Sequence, residues 1–531
     1  MTPSSPLDRR EFLRRGLGAS ALFTGIIAAG FTLTNDDAIS SAAVKSKTAH
    51  AEQRQPSSKE WQSLRNALSG TLVLPGDPSY PIDSLLYNSK FAKLHPAAIA
   101  YCATHDDVSR CVEFTALHSL SVAARSGGHS YGGYSSCAGL VVDVSRLNTI
   151  AVNTKSNVAT VGAGARLIDV YNEIGLRDRL LPGGSCPSVG IAGLTLGGGI
   201  GVFGRKFGLT CDNLSSLEVV TASGKKLTAN QSDHDDLLWA CRGGGGGNFG
   251  IATSFEFTVH PMPPVSLFTL RYPWDSAADV LEAWQYWITT LPDELWSNCQ
   301  LLTQGANGFL LQVSGVLCGT PDQLTSLLAP LHASIGSAPS ATFIGTNEYM
   351  QAMMIEAGCS GLTVASCHLD TVNPQGTLSR EAYSAKSSYL DAPSSSDHAT
   401  LLVQAVEMLH SDAPNVGGGL AFDAYGGAIN RVRANETAFV HRDKLACIQA
   451  TYSWSPYTSQ SEIDAGRRWL AWLQSDVFNA STGAYQNYID PTLADWRTAY
   501  YGGNLDRLAK IKRRYDPHDH FSFAQSIPRH L

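Results

Sequence analysis

Residues 125–136 read RSGGHSYGGYSS and place one histidine, His129, among four glycines and several small hydroxyl residues. A glycine-dense loop lets backbone N–H groups approach a ligand closely and adopt positive φ, which is how proteins cradle phosphates. A histidine in such a loop either contacts a ligand or is a hydrogen-bonded part of the scaffold, and this stretch alone leaves both interpretations open.

Three glycine-rich segments, 125–133, 183–201 and 243–250, each lie between predicted strands and helices. Together they indicate backbone that lines a long, phosphate-bearing ligand. None is a GxGxxG fingerprint after a first strand, and none has the GxxxxGK[ST] spacing, so the usual dinucleotide and ATP loops do not fit. Glycines that serve only tight turns are the alternative.

The composition is that of a well-packed enzyme. The chain has 531 residues, of which 44% are hydrophobic and 16% are charged. This length predicts two domains or one large composite domain. The net charge is −7 without a basic stripe, so we expect no nucleic-acid partner.

The N-terminus differs from the rest of the chain. Residues 8–34, DRREFLRRGLGASALFTGIIAAGFTLT, carry the twin-arginine pair Arg9 and Arg10 before a moderately apolar run. This pattern predicts a Tat signal peptide over 1–51, a linker over 52–60, contact with the Tat export machinery and secretion. The run is too diluted by Gly, Ser and Thr to predict stable membrane insertion, although an uncleaved anchor is the alternative.

The eleven cysteines fit an oxidising compartment, and their odd number leaves at least one outside any disulfide. Cys359 and Cys367 are close enough in sequence to pair across a short loop. Cys299 and Cys318 are the second predicted pair, on neighbouring strands. No CxxC or His-rich pair suggests zinc, and we expect no metal.

The chain pattern predicts an α+β protein. AIAYCATH, DDVSRCVEFTALHS and LSVAARSGGH are typical of a strand, a helix and a strand that ends in the first glycine loop. HPMPP at 260–264 marks a domain boundary, after which helices such as ADVLEAWQYWITTLP alternate with strands such as FLLQVSGVLCG. DWRTAYYGGNLDRLAKIKRRYDP predicts a last helix that stops at Pro517.

Six motifs in order resemble the berberine bridge enzyme-like FAD-linked oxidases from about residue 60 to 530: RSGGHSYGG, GGSCPSVGIAGLTLGGG, RGGGGGNFGI, GGAINRV, AYQNYID and YYGGNLDRLAKIKRRYDPHDHFSFAQSI. The resemblance implies the vanillyl-alcohol oxidase-type fold. Its FAD-binding domain would comprise residues 61–264 and a returning C-terminal segment, 486–531. A substrate-binding domain with an antiparallel sheet and covering helices would be inserted at 265–485.

The resemblance also implies bicovalent FAD. His129 matches the histidine bonded to the flavin 8α-methyl group, and Cys186 matches the cysteine bonded to flavin C6. A neutral imidazole and a thiolate are nucleophiles suited to this attachment. Further cofactor contacts are expected from Arg125, Ser126, Gly127, Gly128, Ser130, Val189, Gly190, Gly193, Gly198, Gly199, Gly201, Asn248, Gly250, Ile251, Asn487 and Tyr488.

Substrate oxidation needs a base that takes a hydroxyl proton while hydride leaves carbon. Tyr485 resembles the family tyrosine above the flavin, and Tyr488 is the second candidate. Val189, three residues after Cys186, resembles the valine found at this position in family members that let dioxygen reach the flavin.

The chain departs from the family pattern at two positions. Ile200 lies where some members have a second active-site tyrosine, which argues against a two-tyrosine mechanism. Arg431 lies in the GGAINRV motif, where ring-closing members have a catalytic glutamate, which argues against ring-closing chemistry.

The leading hypothesis is therefore a secreted FAD oxidase that oxidises a hydroxyl group of a sugar or a hydroxylated or glycosylated natural product. Dioxygen would be the second substrate and hydrogen peroxide a product. The alternatives are an oxidative cyclase or dehydrogenase of secondary metabolism, and a secreted flavin-binding protein without turnover.

Overall fold

The computed structural model describes residues 55–478 and 482–531. The predicted signal peptide and the first three residues of the predicted linker lie outside the described residues. Within the described part of the chain, no helix is long and apolar enough to cross a membrane.

The first half of the chain forms two sheets and a two-stranded ribbon. Its strands are β1 (Thr71–Val73), β2 (Ala98–Tyr101), β3 (Val122–Arg125), β4 (Leu140–Asp143), β5 (Ile150–Asn153), β6 (Val158–Gly162), β7 (Arg179–Leu180), β8 (Leu214–Val220), β9 (Lys226–Ala229), β10 (Ile251–Thr258) and β11 (His260–Pro261). One sheet has the order β1-β2-β4-β3, the other has the order β5-β6-β10-β8-β9, and β7 pairs with β11. Both β2 and β3 run parallel to β4.

Seven helices pack around these strands. They are α1 (Ser58–Ala67), α2 (Tyr80–Asp83), α3 (His105–His118), α4 (Leu167–Gly175), α5 (Ile191–Leu196), α6 (Gly204–Phe207) and α7 (Asp235–Ala240). The predicted strand–helix–strand unit is β2, α3 and β3. A capping box between Thr104 and Asp107 starts α3, and Ser119 ends it in the left-handed conformation with φ +53°. The first glycine loop therefore begins at the end of a parallel strand.

The second half of the chain is built on one antiparallel sheet. Its strands are β12 (Val265–Tyr272), β13 (Leu295–Gln304), β14 (Phe309–Cys318), β15 (Ala341–Asn347), β16 (Ala382–Leu390), β17 (Gly417–Ala424) and β18 (Ala446–Trp454), in the order β15-β12-β14-β13-β17-β18-β16. The accompanying helices are α8 (Ala277–Ile288), α9 (Pro321–Ile335), α10 (Tyr349–Glu356), α11 (Ser396–Asp412), α12 (Ala428–Arg431) and α13 (Gln460–Trp472). The predicted antiparallel sheet with covering helices is confirmed.

The C-terminal segment contains two helices, α14 (Trp496–Tyr501) and α15 (Leu505–Tyr515). The single helix predicted here is wrong because the chain turns at Gly502, whose φ of +46° is outside the helical region. The stop before Pro517 is confirmed, since α15 ends at Tyr515.

The two predicted disulfides have different outcomes. Cys359 and Cys367 are bonded, with their Cα atoms 5.8 Å apart. Cys299 and Cys318 are free, and that prediction is wrong. The strands β13 and β14 are neighbours, as expected, but Cys299 lies opposite Val313 in the register. Cys318 is five residues further along β14, about 17 Å away along the strand, which is too far for a disulfide.

A buried ion pair fixes the C-terminal segment to the first half of the chain. The Lys512 ammonium group is fully buried and lies 2.7 Å from the Asp516 carboxylate. It also donates hydrogen bonds to the carbonyl oxygens of Asn248, at 2.8 Å, and Phe521, at 2.6 Å. The Asn248 side chain in turn accepts a hydrogen bond from the Ile527 backbone. The third glycine-rich segment is thus held directly by the returning chain end.

We expect Lys512→Met to lower the free energy of unfolding by about 3–5 kcal/mol, because it leaves the Asp516 carboxylate buried without its cation. Urea unfolding of the flavin-loaded protein measures this change. Lys510→Met is the matched control, since Lys510 is exposed on the same helix, and we expect a change below about 0.5 kcal/mol. Equal effects of the two substitutions would contradict the anchoring role of Lys512.

Candidate active site

A cavity of about 320 Å³ lies between the three glycine-rich segments and the seven-stranded sheet. Side chains at alternate positions of the sheet form its wall, as expected for residues on one face. These residues are Trp296, Gln300 and Leu302 on β13, Ala421 and Asp423 on β17, and Gln449, Thr451 and Ser453 on β18. Intervening residues such as Cys299, Phe422 and Ile448 pack into the core with the helices on the opposite face.

The structure brings most of the predicted site residues together around this cavity. Those that line it are Arg125, Ser126, Gly127, Gly128, His129, Ser130, Cys186, Val189, Gly190, Gly193, Gly201, Gly250, Ile251, Tyr485, Asn487 and Tyr488. Gly198, Gly199 and Asn248 are not part of the lining. A Cβ atom on Gly198 would meet the Phe439 and Tyr485 rings, and the Asn248 amide donates to carbonyl groups within its own loop. These three residues support the cavity wall without lining the cavity.

The first two glycine-rich segments touch through their backbones. A Cβ atom on Gly127 would lie 2.3 Å from the Gly190 nitrogen, and a Cβ atom on Gly190 would lie 2.1 Å from the Ser126 hydroxyl oxygen. Only glycine at both positions permits this approach. Arg125, just before the contact, lines the cavity, and its guanidinium group pairs with Asp143.

The His129 imidazole is held on two sides. Its ring stacks on Tyr87 with 3.9 Å between the ring centroids. Its Nε2 atom lies 3.0 Å from the Ser188 hydroxyl. Burial, together with the Arg166 cation, lowers the pKa of His129 to about 3. The imidazole is therefore neutral at physiological pH, which is the nucleophilic form.

Cys186 shares a partner with His129. Its Sγ atom lies 3.9 Å from the Ser188 hydroxyl, so this one hydroxyl contacts both side chains. Burial raises the pKa of the Cys186 thiol to about 11. Sequence reasoning missed Ser188, although it lies two residues after the cysteine in GGSCPSVG and was within the quoted motif.

The Tyr485 hydroxyl accepts hydrogen bonds from three N–H groups. Two are the backbone N–H groups of Gly199, at 2.9 Å, and Ile200, at 3.2 Å. The third is the Asn487 side-chain amide at 2.9 Å, whose orientation is fixed because it also donates to the Leu194 carbonyl. Burial raises the pKa of Tyr485, and these donors oppose that shift because they stabilise the phenolate. Gly199 thus serves the site through its backbone.

A second group of side chains surrounds Tyr488. Its ring stacks on Tyr131 at a centroid distance of 5.2 Å and meets the Tyr485 ring edge-on at 4.9 Å. The Tyr131 hydroxyl accepts a 2.8 Å hydrogen bond from the Gln449 amide. Burial raises the pKa of Asp423, an electrostatic neighbour of Tyr488, to about 7. The sequence analysis did not predict Tyr131, Gln449 or Asp423 as site residues. Of these, only Tyr131 could have been found from the sequence, because it lies two residues after His129 in the first glycine-rich segment.

The residues present fit an FAD molecule. A Cβ atom on Gly193 would meet no atom within 4 Å, and this residue lines the cavity, so its missing side chain leaves space beside the helix. Backbone from all three glycine-rich segments faces that space, which suits a dinucleotide with a pyrophosphate. The imidazole and the thiol expected to contact the flavin lie together at the same cavity.

The cavity has glycine-rich backbone on one side and a polar sheet face on the other, and comparisons with known proteins identify the family to which this architecture belongs. Residues 96–230 match the FAD binding domain family. Residues 484–528 match the family described as berberine and berberine like. The fold and the predicted cofactor are thus those of a flavin-dependent oxidoreductase.

Individual relatives extend this match over most of the chain. An uncharacterized FAD-linked oxidoreductase of Bacillus subtilis, YgaK, is 32% identical over 87% of this chain and 98% of its own length. The xylooligosaccharide oxidase of Thermothelomyces thermophilus is 30% identical over 81% of this chain and 87% of its own length. The solved structure of Physcomitrella patens BBE-like 1 superimposes with a TM-score of 0.79, at 29% identity, over 88% of this chain and 99% of that chain.

The chain belongs to the berberine bridge enzyme-like family of FAD-linked oxidoreductases. The family resemblance, the fold class and FAD as the cofactor are confirmed. The roles expected for individual residues remain predictions, which the geometry described above makes testable.

We expect Gly193→Leu to leave the fold intact but to lower the flavin content of the purified protein by at least about tenfold, because the new side chain fills cofactor space. The ratio of flavin to protein absorbance measures the content, and far-ultraviolet circular dichroism checks the fold. Gly503→Leu is the control, since a Cβ atom there also meets no atom within 4 Å but lies outside the cavity lining. Full flavin occupancy in Gly193→Leu would place the cofactor elsewhere.

Proposed function

We propose that the protein is an exported oxidase that acts on CH–OH groups of a sugar or a hydroxylated natural product. Its FAD is held through two covalent bonds, and dioxygen reoxidises it with release of hydrogen peroxide. The observation that carries the proposal is the cavity between the His129–Cys186 pair and the polar face of the sheet. Bound FAD would supply the hydride acceptor and the site of reaction with dioxygen.

The sheet wall offers the chemistry that recognises a polyol. Gln300, Gln449, Thr451 and Ser453 present amide and hydroxyl groups to the cavity, and each can both donate and accept hydrogen bonds. Trp296 adds an aromatic surface of the kind that packs against sugar rings. A neutral, hydroxyl-rich substrate would find hydrogen-bond partners on β13 and β18.

Relatives support the same substrate class. The proteins similar to this chain include the xylooligosaccharide oxidase described above and the glucooligosaccharide oxidase of Sarocladium strictum, which is 29% identical over 88% of this chain and 95% of its own length. A solved chitooligosaccharide oxidase superimposes with a TM-score of 0.77 at 27% identity. We infer from these names that a saccharide is the first substrate class to test.

Tyr485 is the proposed proton acceptor. Three N–H donors point at its oxygen, and none of them can accept the phenol proton. These donors stabilise the phenolate and oppose the rise in pKa that burial causes, and the phenolate is the form that takes a proton from a substrate hydroxyl. Tyr488 is the second candidate, because it lines the cavity and its ring meets the Tyr485 ring edge-on.

Two features support covalent attachment and oxygen use. The Ser188 hydroxyl holds the neutral His129 imidazole near the Cys186 thiol, so both nucleophiles face one cavity. Val189 lines the same cavity, and we propose that its side chain lets dioxygen reach the flavin. Export by the Tat route rests on the twin arginines of residues 8–34 and the apolar run after them.

We expect FAD to stay attached to the wild-type protein after acid denaturation, as measured by intact mass and visible absorbance. His129→Ala and Cys186→Ala should each retain flavin through the remaining bond, and the double variant should release all of it. Cys137→Ala is the control for loss of a free thiol and should behave as wild type. Complete release of flavin from the wild-type protein would refute bicovalent attachment.

We expect Tyr485→Phe to slow substrate-driven flavin reduction by about 100-fold or more, because the base that takes the hydroxyl proton is lost. Anaerobic stopped-flow mixing with xylo- and cello-oligosaccharides measures the reduction, and admission of air should then yield hydrogen peroxide. Tyr488→Phe is the matched variant and should slow reduction by less than about tenfold.

The opposite order of effects would assign the base to Tyr488. Flavin reduction that air does not reverse would indicate a dehydrogenase instead of an oxidase. An absence of reduction by any hydroxylated compound would overturn the proposed function.

A further inference from the structure

One carboxylate of the cavity has no role in the chemistry described above. Glu381 lines the cavity immediately before β16, and its side chain makes no hydrogen bond or ion pair within the described part of the chain. The neighbouring cations have other partners. Lys90 donates a 2.7 Å hydrogen bond to the Ser384 hydroxyl, and Arg380 interacts with Asp370.

Three tyrosine rings share the cavity wall with this carboxylate. Tyr87, Tyr131 and Tyr383 all line the cavity, and Glu381 acts electrostatically on each of them. The Tyr131 and Tyr383 rings meet at 78° with 4.9 Å between centroids, and the Tyr87 and Tyr383 rings meet at 61° with 6.4 Å between centroids. Crossed aromatic rings beside a carboxylate are the chemistry that recognises an ammonium group.

The charged residues that line the cavity also favour a cationic ligand. Its charged lining residues are Arg125, Glu381 and Asp423, and Arg125 is neutralised by its ion pair with Asp143. Burial raises the pKa of Glu381 to about 8, since no cation offsets the loss of water around it. A cationic ligand would restore the ionised carboxylate. Both acids that face the cavity, Glu381 and Asp423, thus lack a cationic partner within the described part of the chain.

The two acids lie at opposite ends of the sheet face. Asp423 pairs in register with Cys447, which pairs with Tyr389 on the neighbouring strand. Tyr389 is eight residues beyond Glu381, which corresponds to about 26 Å along the strand direction. A ligand group bound at Glu381 is therefore remote from the Asp423 end, and an extended molecule would contact both.

We propose that Glu381, with the rings of Tyr87, Tyr131 and Tyr383, forms a subsite for a protonated amine on the substrate. The substrate class is then an amino sugar oligomer or a similarly extended polyol with a primary ammonium group. This inference rests on the proposed oxidase function, because it assigns the substrate class of the same cavity.

The test compares two oligomer series that differ only in one group. Glucosamine oligomers of two to six units carry amines where cello-oligosaccharides of the same length carry hydroxyls. Isothermal titration of the flavin-loaded protein, at a pH where the amines are protonated, should show about tenfold tighter binding of the longer glucosamine oligomers, equivalent to about 1.4 kcal/mol.

Substitutions of the carboxylate identify the subsite. Glu381→Gln should reduce the preference for the amine to less than about twofold, and Glu381→Asp should retain part of it because it keeps the charge. Glu282→Gln on α8 is the matched control, since Glu282 is not part of the cavity lining, and it should keep the full preference.

Each outcome decides between the two proposals. Equal binding of the two series, no binding of the glucosamine series, or a preference that persists in Glu381→Gln would overturn the subsite. A preference that Glu381→Gln abolishes, without flavin reduction by either series or by any other hydroxylated compound, would uphold the subsite and overturn the oxidase function. Peroxide formation with neutral saccharides alone would uphold the oxidase and overturn the subsite.

Discussion

The backbone contact between Gly127 and Gly190 is the constraint on which the site depends. Any Cβ atom at either position would overlap atoms of the other segment, so a side chain there would push the first two glycine-rich segments apart. His129 and Cys186 lie on those two segments, 57 positions apart in the sequence. The Ser188 hydroxyl can reach both of them only because the two backbones touch. The contacts of Ser188 with His129 and Cys186 thus depend on the absence of side chains at Gly127 and Gly190.

The remaining walls of the cavity are fixed by hydrogen bonds between distant parts of the chain. The Lys512 ammonium group and the Ile527 backbone N–H group both bind Asn248, which connects the chain end to the third glycine-rich segment. On the other side, the Tyr485 hydroxyl binds the backbone of Gly199. These polar contacts are buried, where an unmade hydrogen bond is costly. They therefore hold the site in one arrangement before any ligand arrives.

Much of the cofactor side could be predicted from the sequence, because backbone constraints leave a sequence signature. Glycines that must adopt unusual conformations appear as glycine-rich motifs, and the family resemblance that these motifs carry pointed to His129 and Cys186. The sheet side could not be predicted in the same way. Asp423 lies between Phe422 and Ala424, and its pattern is typical of an acid on a solvent-exposed strand face. Only the position of β17 between β13 and β18, whose residues line the same wall, shows that this face lines the cavity.

The sequence also does not show how neighbouring strands are aligned, which explains why the predicted Cys299–Cys318 disulfide is wrong. Cys299 and Cys318 lie on adjacent strands, as the sequence indicated, but the register separates them by five residues. Register depends on which residues meet across the sheet, and a single sequence does not contain that information. Cys359 and Cys367 could be predicted because a short loop brings its own ends together, whatever the rest of the fold does.

The distribution of ion pairs determines what the cavity can select. Arg442 is paired with Asp212, and Lys386 is paired with Asp490, as Arg125 is with Asp143. These three buried cations are thus neutralised by carboxylates that belong to the scaffold, whereas the Glu381 and Asp423 carboxyl groups that face the cavity have no such partner within the described part of the chain. Among the described lining residues, an anionic substrate would find Arg125 as the one cation, and that guanidinium group is already paired. The proposed substrate class of neutral or cationic polyols is consistent with this distribution of ion pairs.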